Sequence, residues 1–329
     1  MTLALCKHLN CSPIRSQVAL LCEYKDPHML AQFRRHTRVA CGSGFLALDA
    51  DKLGSISRGV DIIVSNGFCK LHELRRDLHQ PVVVVSHIAP DLEDQRHLLL
   101  SEATAADFLA AVSETAAKSF ADSASVTILP PGIDVERLVP ADDEIYLRQR
   151  WGLGIHDKVV LYVGRLAKEK SPGWMLDVIE ALPPSWKLLM VGDGPLRAEL
   201  AAQVRHMGLA DRVRMIGQQF QVGSCYWVAD VLVVPSASEA FSMAAIEGLL
   251  AGKRVVMLDN AISREFTQRH GELFSIASTP AGLADAVLEA DTWDAEGPQR
   301  ICMERYTAHA MALRWKTYLL SIMSTWLAR

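Results

Sequence analysis

The sequence predicts an α/β protein with two doubly wound parallel sheets, and three observations support this fold class. Short β-branched runs alternate with longer helical patterns along the chain. These runs are apolar at nearly every position, as is typical of central parallel strands that helices cover on both faces. The length of 329 residues suits two domains of about 150 residues each.

The apolar runs give the strand predictions, and a break in composition separates the domains. We predict strands, in chain order, at 17–24, 60–65, 81–86, 159–163, 187–191, 212–216 and 231–234. Two prolines and a glycine within 129–134 mark a linker. We therefore expect domains at 1–139 and 140–305, with residues 306–329 as a helix that returns to the first domain. The side chains expected to dock there are Met311, Trp315, Tyr318 and Leu319.

Composition excludes several classes of protein. The formal charge is −4, so a dedicated nucleic-acid binder is not expected. No apolar run approaches the ~18 residues that a membrane span requires. The seven cysteines are scattered without a CxxC pair, which argues against a disulfide framework or a zinc site and favours the cytoplasm.

The segment 236–247 carries two glutamates around a predicted helix start. It follows the strand at 231–234, so it lies where ligands of doubly wound folds bind. Glu239 and Glu247 are eight residues apart, roughly two helical turns, and carboxylates on one face suit the hydroxyls of ribose or a sugar. The N–H groups of a helix start also favour an anionic ligand. A helix-start charge and a solvated glutamate explain the same spacing.

Basic side chains occupy the loop after the strand at 159–163. Arg165 could bind phosphate bidentately, and Lys170 would add a mobile charge. Together they suit a diphosphate leaving group, although a solvated basic loop is the alternative. Glycines that would let backbone approach a ligand, or that simply form tight turns, end the next two strands at Gly192, Gly194 and Gly217.

In this order, the segments resemble the retaining glycosyltransferases of family 4, the glycosyl transferases group 1, which have the GT-B fold. The resemblance extends from about residue 60 to residue 329 and is most specific between 159 and 256. The motifs that carry it are the G-R-L…E-K loop at 164–170, the V-G-D-G-P turn at 191–195, the paired glutamates Glu239 and Glu247, the linker at 129–134, and His87 after a valine-rich strand.

The resemblance implies a role for each matched side chain. Arg165 and Lys170 would bind the donor diphosphate, and Glu247 would bind the ribose hydroxyls. Glu239 would contact the transferred sugar and support an oxocarbenium-like transition state. His87 would reach the sugar from the first domain. The remaining donor-binding positions that we expect are Gly164, Gly192, Gly194, Gly217, Phe241, Ser242 and Met243.

The implied reaction moves a sugar from a nucleotide-diphosphate sugar to an acceptor hydroxyl, with retention at the anomeric carbon. The leaving phosphate would take the acceptor's proton. Because Arg165, Lys170 and helix-start amides would stabilise the leaving group, no metal and no other cofactor is expected. A glycan, a lipid or a small molecule remains open as acceptor. We expect a cytoplasmic enzyme of carbohydrate biosynthesis. A basic face of six residues would suit a weak contact with the inner face of a membrane, although scattered solvated charge explains it too: Arg34, Arg35, Arg38, Lys70, Arg75 and Arg76.

Several positions depart from the family pattern. Glycine is replaced by Ser171 after the lysine and by Ala240 and Ser242 around Phe241, and proline is replaced by Arg254. Such changes motivate a rival interpretation, a GT-B protein that has lost catalysis and serves as a nucleotide-binding or partner subunit. Retention of both cations and both glutamates argues against it.

Two weaker patterns suggest other enzymes. Asp49 and Asp51 fit the D-x-D pattern of metal-dependent glycosyltransferases, which helix capping explains as well. Residues 42–47 formally fit the dinucleotide fingerprint of an NAD oxidoreductase, but no acidic residue ends the next strand.

The front end is short for the family, which normally opens with a strand, a glycine-rich loop and a helix. The strand at 17–24 resembles the family's second strand, so only sixteen residues precede it. Either residues 2–9 supply an abbreviated first strand, or residues 1–10 are the tail of the first helix and the chain starts late. We favour the second interpretation, because the leucines within residues 1–10, followed by the strand at 17–24, give a pattern of a helix followed by a strand.

Overall fold

The chain divides into two compact units. Unit 1 comprises Met1–Ile133 and Tyr306–Arg329, and unit 2 comprises Asp134–Arg305. The computed structural model describes residues 60–66, 78–120, 125–289 and 294–328, and in addition residues 5, 9, 17–20, 35, 38–41 and 75.

Unit 1 contains parallel sheets throughout its described part. Strand β1 (Gln17–Leu20) pairs with β2 (Arg38–Cys41). A four-stranded sheet follows in the order β3 (Ile63–Ser65), β4 (Val82–Ser86), β5 (Phe108–Ala111) and β6 (Val126–Ile128). The connecting helices are α1 (Glu93–Ala103) and α2 (Glu114–Ala117), the second continued by a 3-10 turn at Lys118–Phe120. Strand β3 begins three residues later than predicted, because its first ladder bond runs from Ile63 N to Pro81 O, 3.0 Å.

Unit 2 is built on a six-stranded parallel sheet. The strands, in chain order, are β7 (Lys158–Val163), β8 (Trp186–Val191), β9 (Val213–Gly217), β10 (Val231–Val234), β11 (Arg254–Leu258) and β12 (Ser275–Ala277). Their order in the sheet is β9-β8-β7-β10-β11-β12, the 3-2-1-4-5-6 order of dinucleotide-binding folds. The order reverses between β7 and β10, so the carboxyl ends of these two strands flank the point where ligands of such sheets bind.

Helices connect the strands of unit 2. They are α3 (Glu144–Arg150), α4 (Trp174–Ala181), α5 (Arg197–His206), α6 (Gly223–Val228), α7 (Met243–Leu250), α8 (Ala261–His270), α9 (Pro280–Leu288) and α10 (Glu296–Arg305), with 3-10 turns at Val135–Leu138 and Lys168–Lys170. Both α4 and α9 bury their apolar side chains in one core with the strands, represented by Ile179, Leu283 and Val231. The α/β class predicted from the sequence is confirmed.

The last helix, α11 (Ala308–Leu327), belongs to unit 1. Met311 and Trp315 are buried in one cluster with Val83 and Val85 of β4, and Tyr318 and Leu319 pack against that cluster. Leu5 and Leu9 are helical and buried in the same cluster, and the other residues of 1–10 lie outside the described part of the chain.

The linker is anchored to unit 1 through Ile133. Its N–H donates to Tyr306 O and its carbonyl accepts from Ala308 N, each at 2.7 Å. At Gly132, a Cβ would lie 2.2 Å from Thr307 O, so only glycine fits this crossing. The two compact units therefore divide after Ile133, whereas the sequence placed the boundary at 139/140.

Three predicted features lie outside the described residues. They are the D-x-D pattern at 49–51, the dinucleotide fingerprint at 42–47 and the side chains of Arg34, Arg38, Lys70 and Arg76. Their interpretations remain predictions.

Candidate functional site

The loops that follow β7 and β10 meet at the switch point of the unit 2 sheet. Lys170 Nζ lies 2.9 Å from Glu239 Oε1, and the Glu239 side chain is only 10% exposed. The N–H of Ser238 donates to Glu169 O at 3.4 Å. The structure therefore joins two sequence-predicted residues, from loops about 70 residues apart, at the position where the topology predicts a ligand.

The loop after β7 is organised around a buried tyrosine. The hydroxyl of Tyr162 donates to Arg165 O at 2.9 Å, and burial, with the nearby Glu239 and Glu169 carboxylates, raises the pKa of Tyr162. The Arg165 side chain is 64% exposed and pairs with Glu169. Burial alone would raise the pKa of Glu169, but its backbone hydrogen bond and the Arg165 guanidinium outweigh it, and the pKa is lowered. The predicted phosphate ligands are thus each held by a carboxylate.

Ser171 ends this loop in a left-handed conformation. Its φ is 46°, the one positive value outside glycine among the described residues. Glycine, which the family pattern described above has at this position, adopts this conformation without strain because it has no Cβ. Serine at this position stores strain next to Lys170.

The predicted glycines allow three strand ends to pack backbone against backbone. Gly192 has φ 136°, and a Cβ on it would lie 1.9 Å from Gly164 O. A Cβ on Gly194 would lie 2.5 Å from Leu166 O. Gly192 N donates to Gly217 O at 2.9 Å. These glycines hold the loops after β7, β8 and β9 together, which is a reason for glycine beyond approach to a ligand.

The N-terminus of α7 faces the same loops without a side-chain cap. Ser242 is its N-cap residue and makes no capping hydrogen bond, and its buried hydroxyl has no hydrogen-bond partner within the described part of the chain. Half-buried Met243 is the first helical residue. Backbone N–H groups at an uncapped helix start, together with the helix dipole, favour an anion.

Glu239 precedes this helix, which corrects one sequence argument. Glu239 and Glu247 were expected on one helical face, but α7 begins at Met243, so only Glu247 is helical. Phe241, which lies between them, is buried and stacks edge-on with Phe266, ring centroids 5.3 Å apart. Its ring therefore anchors the loop in an aromatic cluster.

Glu247 lies on the second turn of α7 and is buried. The hydroxyl of Tyr226, from α6, donates to Glu247 Oε2 at 3.0 Å. Burial raises the pKa of Glu247, and the positive charge of Arg137 and the Tyr226 hydrogen bond offset only part of this effect. The neighbouring Gly248 holds α7 tightly on the sheet, since a Cβ there would lie 2.7 Å from Leu232 Cδ2.

His87 follows β4 in unit 1 and is half-buried. Its Nε2 lies 3.1 Å from Asn66 Oδ1, at the end of the neighbouring strand β3. Burial lowers the pKa of His87 to about 4, so the imidazole is neutral at pH 7.

Sequence reasoning missed Tyr162, Tyr226 and Asn66 as partners of the predicted residues. Tyr226 carried a usable signal, because a tyrosine within the otherwise apolar run 225–229 must find a partner for its hydroxyl when buried. Asn66 carried another, since it ends the strand next to that of His87.

Neither a metal cluster nor a membrane span occurs in the described part of the chain. No three His, Cys, Asp or Glu side chains there lie close enough to hold a metal ion. No helix there is both long and apolar enough to cross a bilayer.

Comparison with known proteins finds a match for the region that contains these loops. Residues 157–290 match the family model of the glycosyl transferases group 1. Over these residues, the chain is similar to that family. The match includes the Lys170–Glu239 pair, the glycine turn and α7, and it confirms the resemblance seen in the motifs.

Curated relatives of the chain carry glycosyltransferase names. The chain is 31% identical over 219 residues to D-inositol 3-phosphate glycosyltransferase of Mycobacteroides abscessus, covering 63% of this chain and 47% of that protein. It is 34% identical over 146 residues to the protein of the same name from Segniliparus rotundus, covering 41% and 32%. The chain therefore spans less than half the length of these relatives.

Solved structures share the fold of nearly the whole chain. Anabaena HepE, solved with UDP and glucose, matches with a TM-score of 0.83 at 20% identity over 98% of this chain and 96% of its own. Sucrose-phosphate synthase of Thermosynechococcus elongatus matches with a TM-score of 0.77 at 21% identity, over 98% and 92%. The GT-B fold that the motifs implied is confirmed.

Proposed function

We propose that this chain is a retaining glycosyltransferase that moves a sugar from a nucleotide-diphosphate sugar to an acceptor hydroxyl without a metal ion. The observation that carries the proposal is the Lys170–Glu239 pair at the switch point. Glu239 lies in the loop that leads to the uncapped start of α7. A cation suits a diphosphate, a carboxylate suits sugar hydroxyls, and helix-start amides suit phosphate oxygens. Relatives named glycosyltransferases and a neighbour solved with UDP and glucose support the same chemistry.

The donor diphosphate would exchange with the carboxylates that hold the two cations. A partly exposed ion pair contributes about 1 kcal/mol or less. A diphosphate therefore displaces Glu169 from the exposed Arg165 at small cost, and at Lys170 it replaces the Glu239 carboxylate with an anion of higher charge. Glu239, once released, is free to accept hydrogen bonds from the sugar.

The chemical step would occur on one face of the sugar. The bond between the anomeric carbon and the diphosphate oxygen breaks, and the acceptor oxygen forms its bond to that carbon from the same face. The acceptor's proton passes to the leaving phosphate oxygen. Arg165, Lys170 and the α7 amides stabilise the negative charge of the leaving group, and Glu239 stabilises the positive charge that develops on the sugar.

Glu247 and His87 would complete donor recognition. The buried Glu247 carboxylate accepts the ribose hydroxyls, in keeping with the two lone pairs on each of its oxygens. The resemblance also assigns His87 to the transferred sugar, and a neutral imidazole would suit a sugar hydroxyl rather than phosphate. We further propose a cytoplasmic location in carbohydrate biosynthesis, with a glycan, lipid or small-molecule acceptor and a weak membrane contact as an open alternative.

The reaction can be tested without knowledge of the acceptor, because water serves as one. UDP-glucose is incubated with the chain, and the released glucose is followed by proton NMR before it mutarotates. We expect slow release of the α-anomer, unchanged by EDTA. Release of the β-anomer would contradict retention, and loss of activity in EDTA with rescue by manganese would contradict metal independence. Nucleotide binding without sugar release from UDP-, GDP- or ADP-sugars would favour the partner-subunit interpretation.

Variants separate the roles of the two glutamates. We expect Glu239→Ala to lower kcat more than it raises KM, because its partner changes charge in the transition state. Glu247→Ala should mainly raise KM for the donor. Glu199→Ala is the matched control, since Glu199 is exposed on α5 and bonds only Gln203 in the hydrogen bonds described. Equal effects of both site variants on KM alone would contradict these roles.

A further inference from the structure

The hydroxyl of Tyr226 is enclosed between two groups of α7. It lies 3.0 Å from Glu247 Oε2 and 3.2 Å from Ala244 O. Tyr226 is completely buried, and Glu247 is 9% exposed. Because a phenol has a single hydrogen, it donates to one acceptor at a time, and an ionised carboxylate is the stronger acceptor.

The backbone around Tyr226 leaves its ring little freedom. Helix α6 begins at Gly223, where a Cβ would lie 2.4 Å from the carbonyl carbon of Leu138. The next residue, Ser224, accepts a hydrogen bond from Ala141 N at 3.0 Å. The start of α6 is thus fixed to the segment that carries Arg137, whose charge also acts on Glu247.

One carboxylate oxygen of Glu247 is committed by this arrangement. Oε2 accepts the Tyr226 hydroxyl, which sets the plane of the carboxylate and leaves Oε1 as the oxygen available to a ligand. Helix α7 packs closely on the sheet, since a Cβ on Gly248 would lie 2.7 Å from Leu232 Cδ2, so the helix has little room to shift in compensation. The direction of Glu247 is therefore determined by a residue that no ligand can reach.

We propose that Tyr226 is a positioning residue for the nucleotide, which holds Glu247 Oε2 so that Oε1 accepts the hydroxyls of the donor ribose. The inference rests on the proposed function, in which Glu247 binds ribose. Tyr226 itself touches no substrate. It acts by orientation, and its hydrogen bond also offsets part of the rise in the pKa of Glu247 that burial causes.

The test compares two ligands in Tyr226→Phe, which keeps the ring and removes the hydroxyl. Calorimetry measures the Kd of UDP, GDP or ADP, whichever binds most tightly, and of its 2′,3′-dideoxy counterpart, which lacks the ribose hydroxyls. We expect the variant to lose about tenfold in affinity for the ribose nucleotide and little for the dideoxy nucleotide. The preference for ribose thus falls about tenfold. A general loosening of the fold would weaken both ligands alike and leave the preference unchanged.

Further variants keep the proposal falsifiable. Tyr146→Phe, on the exposed face of α3, should leave both affinities unchanged. If Tyr226→Phe does not fold, Tyr226→Met, whose flexible side chain fills the space without a hydroxyl, should cause the same loss of ribose preference. The pH below which the ribose nucleotide dissociates should also rise in Tyr226→Phe, because the pKa of Glu247 rises further without its donor.

The outcomes are distinguishable. Tight binding with an unchanged ribose preference in the variants overturns the role of Tyr226 and leaves the proposed function standing. Failure of the unaltered chain to bind any of the three nucleotides overturns both.

Discussion

Gly192→Ala tests whether the glycine turn holds the cationic loop in place. A Cβ at this position would lie 1.9 Å from Gly164 O, whereas real Cβ contacts are essentially never shorter than 3.0 Å. The two strand ends must therefore separate by at least 3.0 − 1.9, about 1.1 Å, and the backbone must also leave φ 136°. Strained backbone and overpacking each cost about 1–3 kcal/mol, so we expect a loss of about 3 kcal/mol or more.

Two other glycines provide matched controls for urea unfolding. Gly208 has φ 67° and open space around its Cβ position, so Gly208→Ala isolates the conformational cost, about 1 kcal/mol. Gly173 also has open space and no positive φ, so Gly173→Ala should change stability by less than about 0.5 kcal/mol. Because Gly164 begins the loop of Arg165 and Lys170, Gly192→Ala should also weaken UDP binding, unlike both controls. A Gly192→Ala variant no less stable than Gly208→Ala would refute the close packing of the two loops.

Three further predictions concern strain and charge in the same regions. Ser171→Gly removes left-handed strain and should raise stability by about 0.5–1 kcal/mol, seen as a higher urea midpoint; a lower midpoint would contradict the strain. Because the pKa of Glu247 is raised, the folded protein loses stability as pH rises through that pKa and the buried carboxyl group ionises. Glu247→Gln should therefore raise Tm at pH 7 but not below about pH 4. The same variant should weaken nucleotide binding. An equal change in Tm at both pH values would contradict burial of the charge. Folding lowers the pKa of His87 from 6.5 to about 4, so between these pH values the unfolded state binds the proton more readily than the folded state does. The protein therefore loses stability as pH falls from 6.5 toward 4. The Tm of His87→Gln should therefore fall less than that of the unaltered chain between those pH values, and parallel Tm curves would contradict this.

The sequence predicted those elements of the fold that have a clear local sequence pattern. Strands β7, β8 and β10 are continuous apolar runs, and each is followed by a loop with a recognisable motif, so both strands and loops were located. Strand β5 was missed because Phe108–Ala111 is short and half alanine, and only its neighbours in the sheet make it a strand.

The geometry of the site required tertiary information. Spacing alone placed Glu239 and Glu247 on one helix, but the start of α7 at Met243 depends on how the preceding loop folds around Phe241. The pairing of Lys170 with Glu239 follows from strand order, since only the reversal between β7 and β10 makes their loops neighbours. Hydrogen-bond partners such as Tyr226 arise from packing between helices that are separate in sequence.

Hydrogen exchange with and without saturating UDP tests the central claim most directly, because it maps the ligand onto the backbone. The claim is that a nucleotide diphosphate binds at the carboxyl edge of the unit 2 sheet, around the switch point between β7 and β10. We expect UDP to slow exchange of amides in 164–171, 191–196 and 238–246, and Lys170→Met to reduce this protection at the same concentration. Protection confined to other segments while UDP is bound, or no binding of UDP, GDP or ADP at all, would contradict the claim.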